Sequence, residues 1–130
     1  MAKRKRKELV VFNIGYQGHT LESFVAVLKE NRVTLLVDVR ESPRSRVPGF
    51  HATTLKRGLN EAGIQYTSAG QQLGGRTCSR AKWRRGCKRV VELAKEHRVC
   101  IMCMERDVEQ CHRSKLAQIL ERLGCKSQAL

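Results

Sequence analysis

The chain has 130 residues, 41% hydrophobic and 29% charged, which suits one domain built on one modest core. Its 26 Lys and Arg against 12 Asp and Glu leave a formal charge of +14, a balance that argues for polyanionic partners, nucleic acid first, and does not bear on fold. No apolar run approaches the roughly 20 residues of a membrane span. The basic start runs straight into an apolar run without a signal-peptide h-region, so a soluble, cytoplasmic protein is expected. In that setting the six cysteines are expected as reduced thiols or metal ligands rather than as a disulfide framework.

Residues 1–8 read as a basic, flexible tail, AKRKRK after the initiator, of the kind that touches nucleic acid. A single α/β domain is expected over residues 9–130. Leu9–Ile14 (LVVFNI) is a short apolar run closed by Gly15 and reads as a buried strand. Thr20 is an N-cap for a helix to about Asn31, with Glu22 in its first turn and Leu21, Phe24, Val25 and Leu28 at helical spacing. Thr34–Val39 (TLLVDV) is a second buried strand, and Glu41–Phe50 a loop broken by Pro43, Pro48 and Gly49. Ala52–Ala62 reads as a helix closed by Gly63, Ile64–Thr67 as a short strand, and Ser68–Cys78 as a loop containing Leu73-Gly74-Gly75.

Ser79 caps a helix to about Glu96. Its apolar face is Trp83, Cys87, Val90, Val91 and Ala94, and Arg80, Lys82, Arg84, Arg85, Lys88 and Arg89 cover the rest. Gly86 weakens its middle by about 1 kcal/mol relative to Ala. Arg98–Cys103 is a fourth strand. A last helix is expected from Asp107, where Asp107-x-x-Gln110 fits a loose capping box, burying Leu116, Ile119, Leu120 and Leu123 and ending at Gly124. Lys126–Leu130 is a short final strand. This β-α-β-α-β-α-β-α-(β) order predicts a three-layer domain: a mostly parallel sheet of four to five strands with helices on both faces.

In such sheets ligands bind at the carboxyl ends of the strands. The densest candidate cluster follows the fourth strand. Strand alternation puts Cys100 and Met102 on one face, Ile101 and Cys103 on the other. Cys100 lies inside the strand and reads as a small buried hydrophobe. Cys103 lies at the strand's end, where a helix N-terminus and Arg106 or Arg113 would favour a thiolate nucleophile. Glu105 and His112 are acid–base candidates, and Arg113 suits an anion. Cys100-x2-Cys103-x7-Cys111-His112 also invites zinc, with Cys103, Cys111 and His112 as ligands. Cys100 and Cys103 fall on opposite faces of a regular strand, which counts against four converging ligands.

A second group follows the first two strands: Tyr16, then Asp38 and Arg40, with Arg44 and Arg46 completing a cationic rim suited to phosphate. Asp38 is placed to pair with Arg40 or Arg113. Gly15-x2-Gly18 lacks the third glycine of a dinucleotide fingerprint. His51 and His97 read as loop and helix-end residues. The basic face carrying Arg80, Arg84, Arg85 and Lys88 has no interleaved aromatics, and Trp83 belongs to the apolar stripe. That pattern suits backbone electrostatics rather than base readout, or else a solvated helix face.

Four segments together resemble the DUF488 family of uncharacterised small α/β proteins, over about Val10 to Gly124. They are Asn13-Ile14-Gly15-Tyr16 with Phe24; Val37-Asp38-Val39-Arg40 with Pro43, Ser45, Arg46 and Phe50; Leu73-Gly74-Gly75; and Cys103-x-Glu105-x5-Cys111-His112-Arg113. The chain departs from the commoner pattern in having a short segment after Leu73-Gly74-Gly75, without the usual aromatic-containing insertion. LLVDVRE and a strand ending in cysteine also look like rhodanese-like domains, a resemblance that implies Cys103 as a sulfur-carrying nucleophile.

The leading expectation is an enzyme, a Cys-dependent transferase or hydrolase, acting on nucleic acid, a nucleotide or another phosphate-bearing ligand. Cys103, Glu105 and His112 would carry the chemistry. Arg40, Arg46 and Arg113, with Asp38 and Tyr16, would hold the anion. One alternative is a non-catalytic nucleic-acid-binding module whose Cys/His cluster is structural, stapled by zinc if by any metal. The other is rhodanese-like sulfur transfer. No cofactor is clearly indicated.

Overall fold

A computed structural model describes residues 9–43, 45–74, 78–105 and 112–130. Five strands form one sheet: β1 (Leu9–Gly15), β2 (Leu35–Asp38), β3 (Gln65–Ser68), β4 (Val99–Cys103) and β5 (Cys125–Ala129). Their order is β3-β2-β4-β1-β5 and every pairing is parallel, so the "mostly parallel" expectation becomes wholly parallel. The central strands read as near-continuous apolar runs because helices cover both of their faces.

Alternation along each strand sorts the core into two clusters. Phe12, Ile14, Leu36, Cys100 and Met102 pack with α1 (Leu21–Glu30) and α2 (Ala52–Glu61), through Phe24, Leu28, Leu55 and Leu59. Val11, Leu35, Val37, Val99, Ile101 and Cys103 pack with α4 (Arg80–Ala94) and α5 (Arg113–Arg122), through Trp83, Cys87, Val90, Leu116 and Leu120. This is the expected three-layer arrangement, with Cys100 and Cys103 on opposite faces.

Local chemistry explains the helix starts. Thr20 accepts from the Ser23 N–H at 3.0 Å while Ser23 Oγ accepts from the Thr20 N–H at 3.0 Å, a reciprocal capping box. Ser79 caps α4 through the Lys82 N–H. The last helix differs from expectation: α5 begins at Arg113 with His112 in the N-cap position and no side-chain cap bond. Asp107 and Gln110 lie outside the described residues. The expected loop over Ser68–Cys78 contains a helical turn, α3 (Gly70–Leu73), in which the Gln72 and Leu73 N–H groups donate to the Ala69 carbonyl. Several edges shift by one residue: β2 stops at Asp38, β3 begins at Gln65 and β5 runs from Cys125.

The reading of Gly86 changes sign. It is buried where α4 crosses α3, and a Cβ there would meet Leu73 Cδ2 at 2.5 Å and Cγ at 2.8 Å. The glycine weakens the isolated helix but permits the helix–helix approach. Gly86→Ala gains about 1 kcal/mol of helix propensity and loses about 1–3 kcal/mol to overpacking. Net destabilisation is therefore expected, read as a lower urea midpoint; a more stable variant would show that Leu73 yields without cost.

Candidate active site at the strand ends

The sequence-predicted residues gather at the carboxyl end of the sheet, but not in one group. The connection after β2 leads to α2 on one face and that after β4 leads to α5 on the other. Such a divergence of neighbouring connections marks where open α/β sheets bind ligands. The loop after β1 is tied to the one after β4, since Tyr16 N–H donates to the Cys103 carbonyl at 3.1 Å and Gln17 N–H to the Met104 carbonyl at 2.9 Å.

On the α1/α2 side stands a buried ion pair. Arg40 Nη2 donates to Asp38 Oδ2 at 2.7 Å and Nε to Oδ1 at 2.9 Å, while Nη1 donates to the Phe50 carbonyl at 2.7 Å. The Tyr66 hydroxyl donates to Asp38 Oδ2 at 2.6 Å. Tyr16 stacks on Phe50 with centroids 4.5 Å apart, lies beneath the Arg40 guanidinium, and donates its hydroxyl to Ser45 Oγ at 3.0 Å. Burial works against the charged guanidinium, but the bonds and charge of Asp38 outweigh it and raise the Arg40 pKa. Burial, then the Asp38 carboxylate, also raises the Tyr66 pKa. Of the two pairings open to Asp38, the structure takes Arg40. That arginine is 8% exposed and fastens the loop from β2 to Phe50. Arg46 lies exposed on the same loop, whereas Arg44 is outside the described residues.

On the α4/α5 side stand Cys103, Glu105, His112 and Arg113. His112 Nε2 lies 2.8 Å from the Leu73 carbonyl, and its ring stacks on Trp83 at 6.2 Å. Neutral imidazole holding that bond carries its proton on Nε2 and its lone pair on Nδ1. Burial lowers the His112 pKa below its ordinary value; the Leu73 bond and the charges of Glu105 and Glu41 oppose the shift in part. Cys103 belongs to the same core cluster as Leu73 and Trp83, the two residues that hold His112. The buried Arg113 donates to Asn13 Oδ1 at 2.9 Å and to the Glu105 carbonyl at 2.6 Å, joining α5 to β1 and to the loop after β4.

Among the described residues the expectation of reduced cysteines fails at Cys103. Cys78, Cys87, Cys100 and Cys125 are free thiols, and Cys103 is disulfide-bonded. Burial raises the pKa of three free thiols, Cys87 to about 12. Among the described residues no group of three or more His, Cys, Asp or Glu is placed to hold a metal ion. Cys111, a ligand in the zinc reading, lies outside them, as do Gly75 and Arg106.

Sequence reasoning missed Tyr66, Asn13 and Glu41. Tyr66 and Asn13 sit inside strands, where a polar side chain 2% exposed, as Asn13 is, signals a partner. Glu41 packs closely on Gly74, where a Cβ would overlap Glu41 Cγ, just as one on Gly70 would overlap the Arg40 carbonyl. The glycines around Leu73 thus let α3 seat directly on the loop after β2.

Fold and site together describe a parallel α/β domain with a cysteine–histidine–arginine cluster at its strand ends. The chain belongs to the DUF488 family: the domain of unknown function DUF488 matches residues 20–86 and 76–120, well over half of the sequence. No curated protein matches the chain.

Asp38→Ala leaves the Arg40 guanidinium buried without its counter-ion and is expected to cost about 3–5 kcal/mol, whereas Tyr66→Phe costs about 1 kcal/mol. Chemical denaturation reads both, and equal small losses would show a solvent-screened pair. The lowered His112 pKa carries a sign as well. Its stabilisation is complete above the unfolded value of about 6.5 and is lost as pH falls from there through the folded value. Between pH 7.5 and 5 the wild type should therefore lose more stability than His112→Gln; parallel curves would place the imidazole in water.

Proposed function

We propose that this protein is a thiol-dependent enzyme acting on a phosphate-bearing ligand, nucleic acid above all, at the strand-end crevice. Reduced Cys103 is the nucleophile. His112, presenting the Nδ1 lone pair, is the base that takes the thiol or substrate proton, and Glu105 supports it. Arg113 and Arg46 supply positive charge for the ligand. Asp38, Arg40 and Tyr16 position the loop rather than contact the anion. The observation that carries this reading is that Cys103 lies in the same core cluster as Leu73 and Trp83, the two residues that hold His112. In this reading the disulfide form of Cys103 is a resting, oxidised state, and exchange with an external dithiol, itself oxidised to a disulfide, frees the Cys103 thiol before activity.

A second reading, a non-catalytic nucleic-acid-binding module, is favoured by α4. Arg80, Lys82, Arg84, Arg85, Lys88 and Arg89 are all exposed, and none pairs with a described carboxylate. Like charges at i, i+4 cost about 0.2–0.5 kcal/mol each. Arg80–Arg84, Arg84–Lys88 and Arg85–Arg89 repel in this way, and a polyanion laid along the helix would relieve them.

The readings separate in one experiment. The reduced protein is alkylated with iodoacetamide across pH, with and without a single-stranded oligonucleotide, and modified sites are mapped by mass. The enzyme reading expects Cys103 to titrate below the free-cysteine value of about 8.5 and to be protected by the oligonucleotide. If Cys103 reacts no faster than Cys78 and is unprotected, the nucleophile role is lost. The binding-module reading then expects Cys103→Ser to bind normally, a steep salt dependence, and loss of binding on charge reversal at Arg84, Arg85 and Lys88.

A further inference from the structure

The sheet has two edges, and they differ. β5 carries the exposed Lys126, a charge of the kind that keeps edges from pairing with other chains. β3, at the other edge, reads Gln65-Tyr66-Thr67-Ser68, with neither charge nor proline. Gln65 N–H donates to the Thr34 carbonyl and Ala69 N–H to the Asp38 carbonyl. Alternation in a parallel ladder then turns the N–H and C=O groups of Tyr66 and Ser68 outward, away from β2.

Beside this edge lies a groove of about 550 Å³. On this side of the sheet α4 packs against β1 and β4, and α5 against β5. Helix coverage therefore stops short of β3. The groove runs between β3 and α4, with Leu73, Val90 and Leu93 as its apolar wall. Arg89 and His97 line it too, and no Asp or Glu does among the described residues.

We propose that this edge binds an extended, acidic peptide segment of a partner protein, which adds to the sheet beside β3. Its backbone pairs with Tyr66 and Ser68, and its alternate residues, which share one face, enter the groove in turn as an apolar side chain against Val90 and Leu93 and a carboxylate at Arg89. Addition of a strand to an exposed edge is a general mode of peptide recognition, in which main-chain bonds give affinity and pockets for alternate side chains give specificity. Charge selects this occupant over the two others. A second copy carries the same net +14 and is repelled, and the chain's own residues 1–8, rich in Lys and Arg, have the wrong sign for Arg89.

The test uses an eight-residue peptide in which Ser alternates with Glu and Val in turn, so that one face carries both, with its Lys-for-Glu counterpart as control, titrated into the full-length protein. Amide hydrogen exchange is followed by NMR. The Glu peptide should slow exchange at Tyr66 and Ser68 and leave Thr67, already bonded to β2, unchanged. Arg89→Glu, an exposed position, should weaken binding about tenfold, equal to about 1.4 kcal/mol. Ser68→Pro removes an outward donor and should weaken it as well. Unchanged exchange at Tyr66 and Ser68 under saturating peptide overturns the proposal. Equal affinity for the Lys peptide, or a β3-dependent dimer in sedimentation without peptide, overturns it equally.

Discussion

The architecture at the strand ends hangs on one ion pair. Asp38 closes β2 and Arg40 begins the loop after it, so a bond between side chains two residues apart bends the chain back on itself. Through Nη1 the same arginine captures the Phe50 carbonyl, bringing in the far end of the loop. Through its own carbonyl it presses against Gly70, seating α3. From α3 the Leu73 carbonyl reaches His112, and Gly74 accepts from Trp83 Nε1 at 2.8 Å. A charge pair on one face of the sheet thereby positions an imidazole on the other. A buried pair of this kind is weak evidence for stability, since removing two charges from water costs nearly what their attraction returns. Its value here is in conformation: it leaves the loop one arrangement.

That division of labour revises the cationic rim read from sequence. Arg40 and Arg113, read from sequence as anion-binding candidates, are both buried and hold loops together. They frame the strand ends, while the exposed Arg46 and the outer face of α4 present their cations to solvent. Charge on this chain thus falls into two populations: a few buried arginines that shape the site, and an exposed majority that generates its field.

The fold was legible because its signals are local. LVVFNI and TLLVDV are apolar runs too short for helices, and Thr20 and Ser79 carry their caps in the side chain. The division of Cys100 from Cys103 followed from a period of two residues. What stayed hidden depends on tertiary contact. Gly86 looks like a flaw until Leu73 is placed against it, and α3 is too short to have a periodicity. Asp38 had two reachable arginines, and only the bend after β2 decides between them. Tyr66 gave no sign of a polar partner, because the carboxylate it meets lies 28 positions away. The disulfide at Cys103 contradicts an inference from cellular setting, which weighs how thiols behave on average and not what lies near a given sulfur.

The pairing of β1 has a consequence for how the chain is made. β1 is the first strand in sequence, yet its neighbours are β4 and β5, in the register Val11↔Val99 and Leu9↔Cys125. β2 and β3, by contrast, are joined by a short crossover through α2. A chain emerging from the ribosome can therefore assemble β2, α2 and β3 while Leu9–Gly15 still has nothing to pair with. Non-local pairing of this sort is slow, and an apolar strand held waiting is exposed to aggregation. The basic run just ahead of it, AKRKRK, is well suited to keep that strand in solution until β4 arrives.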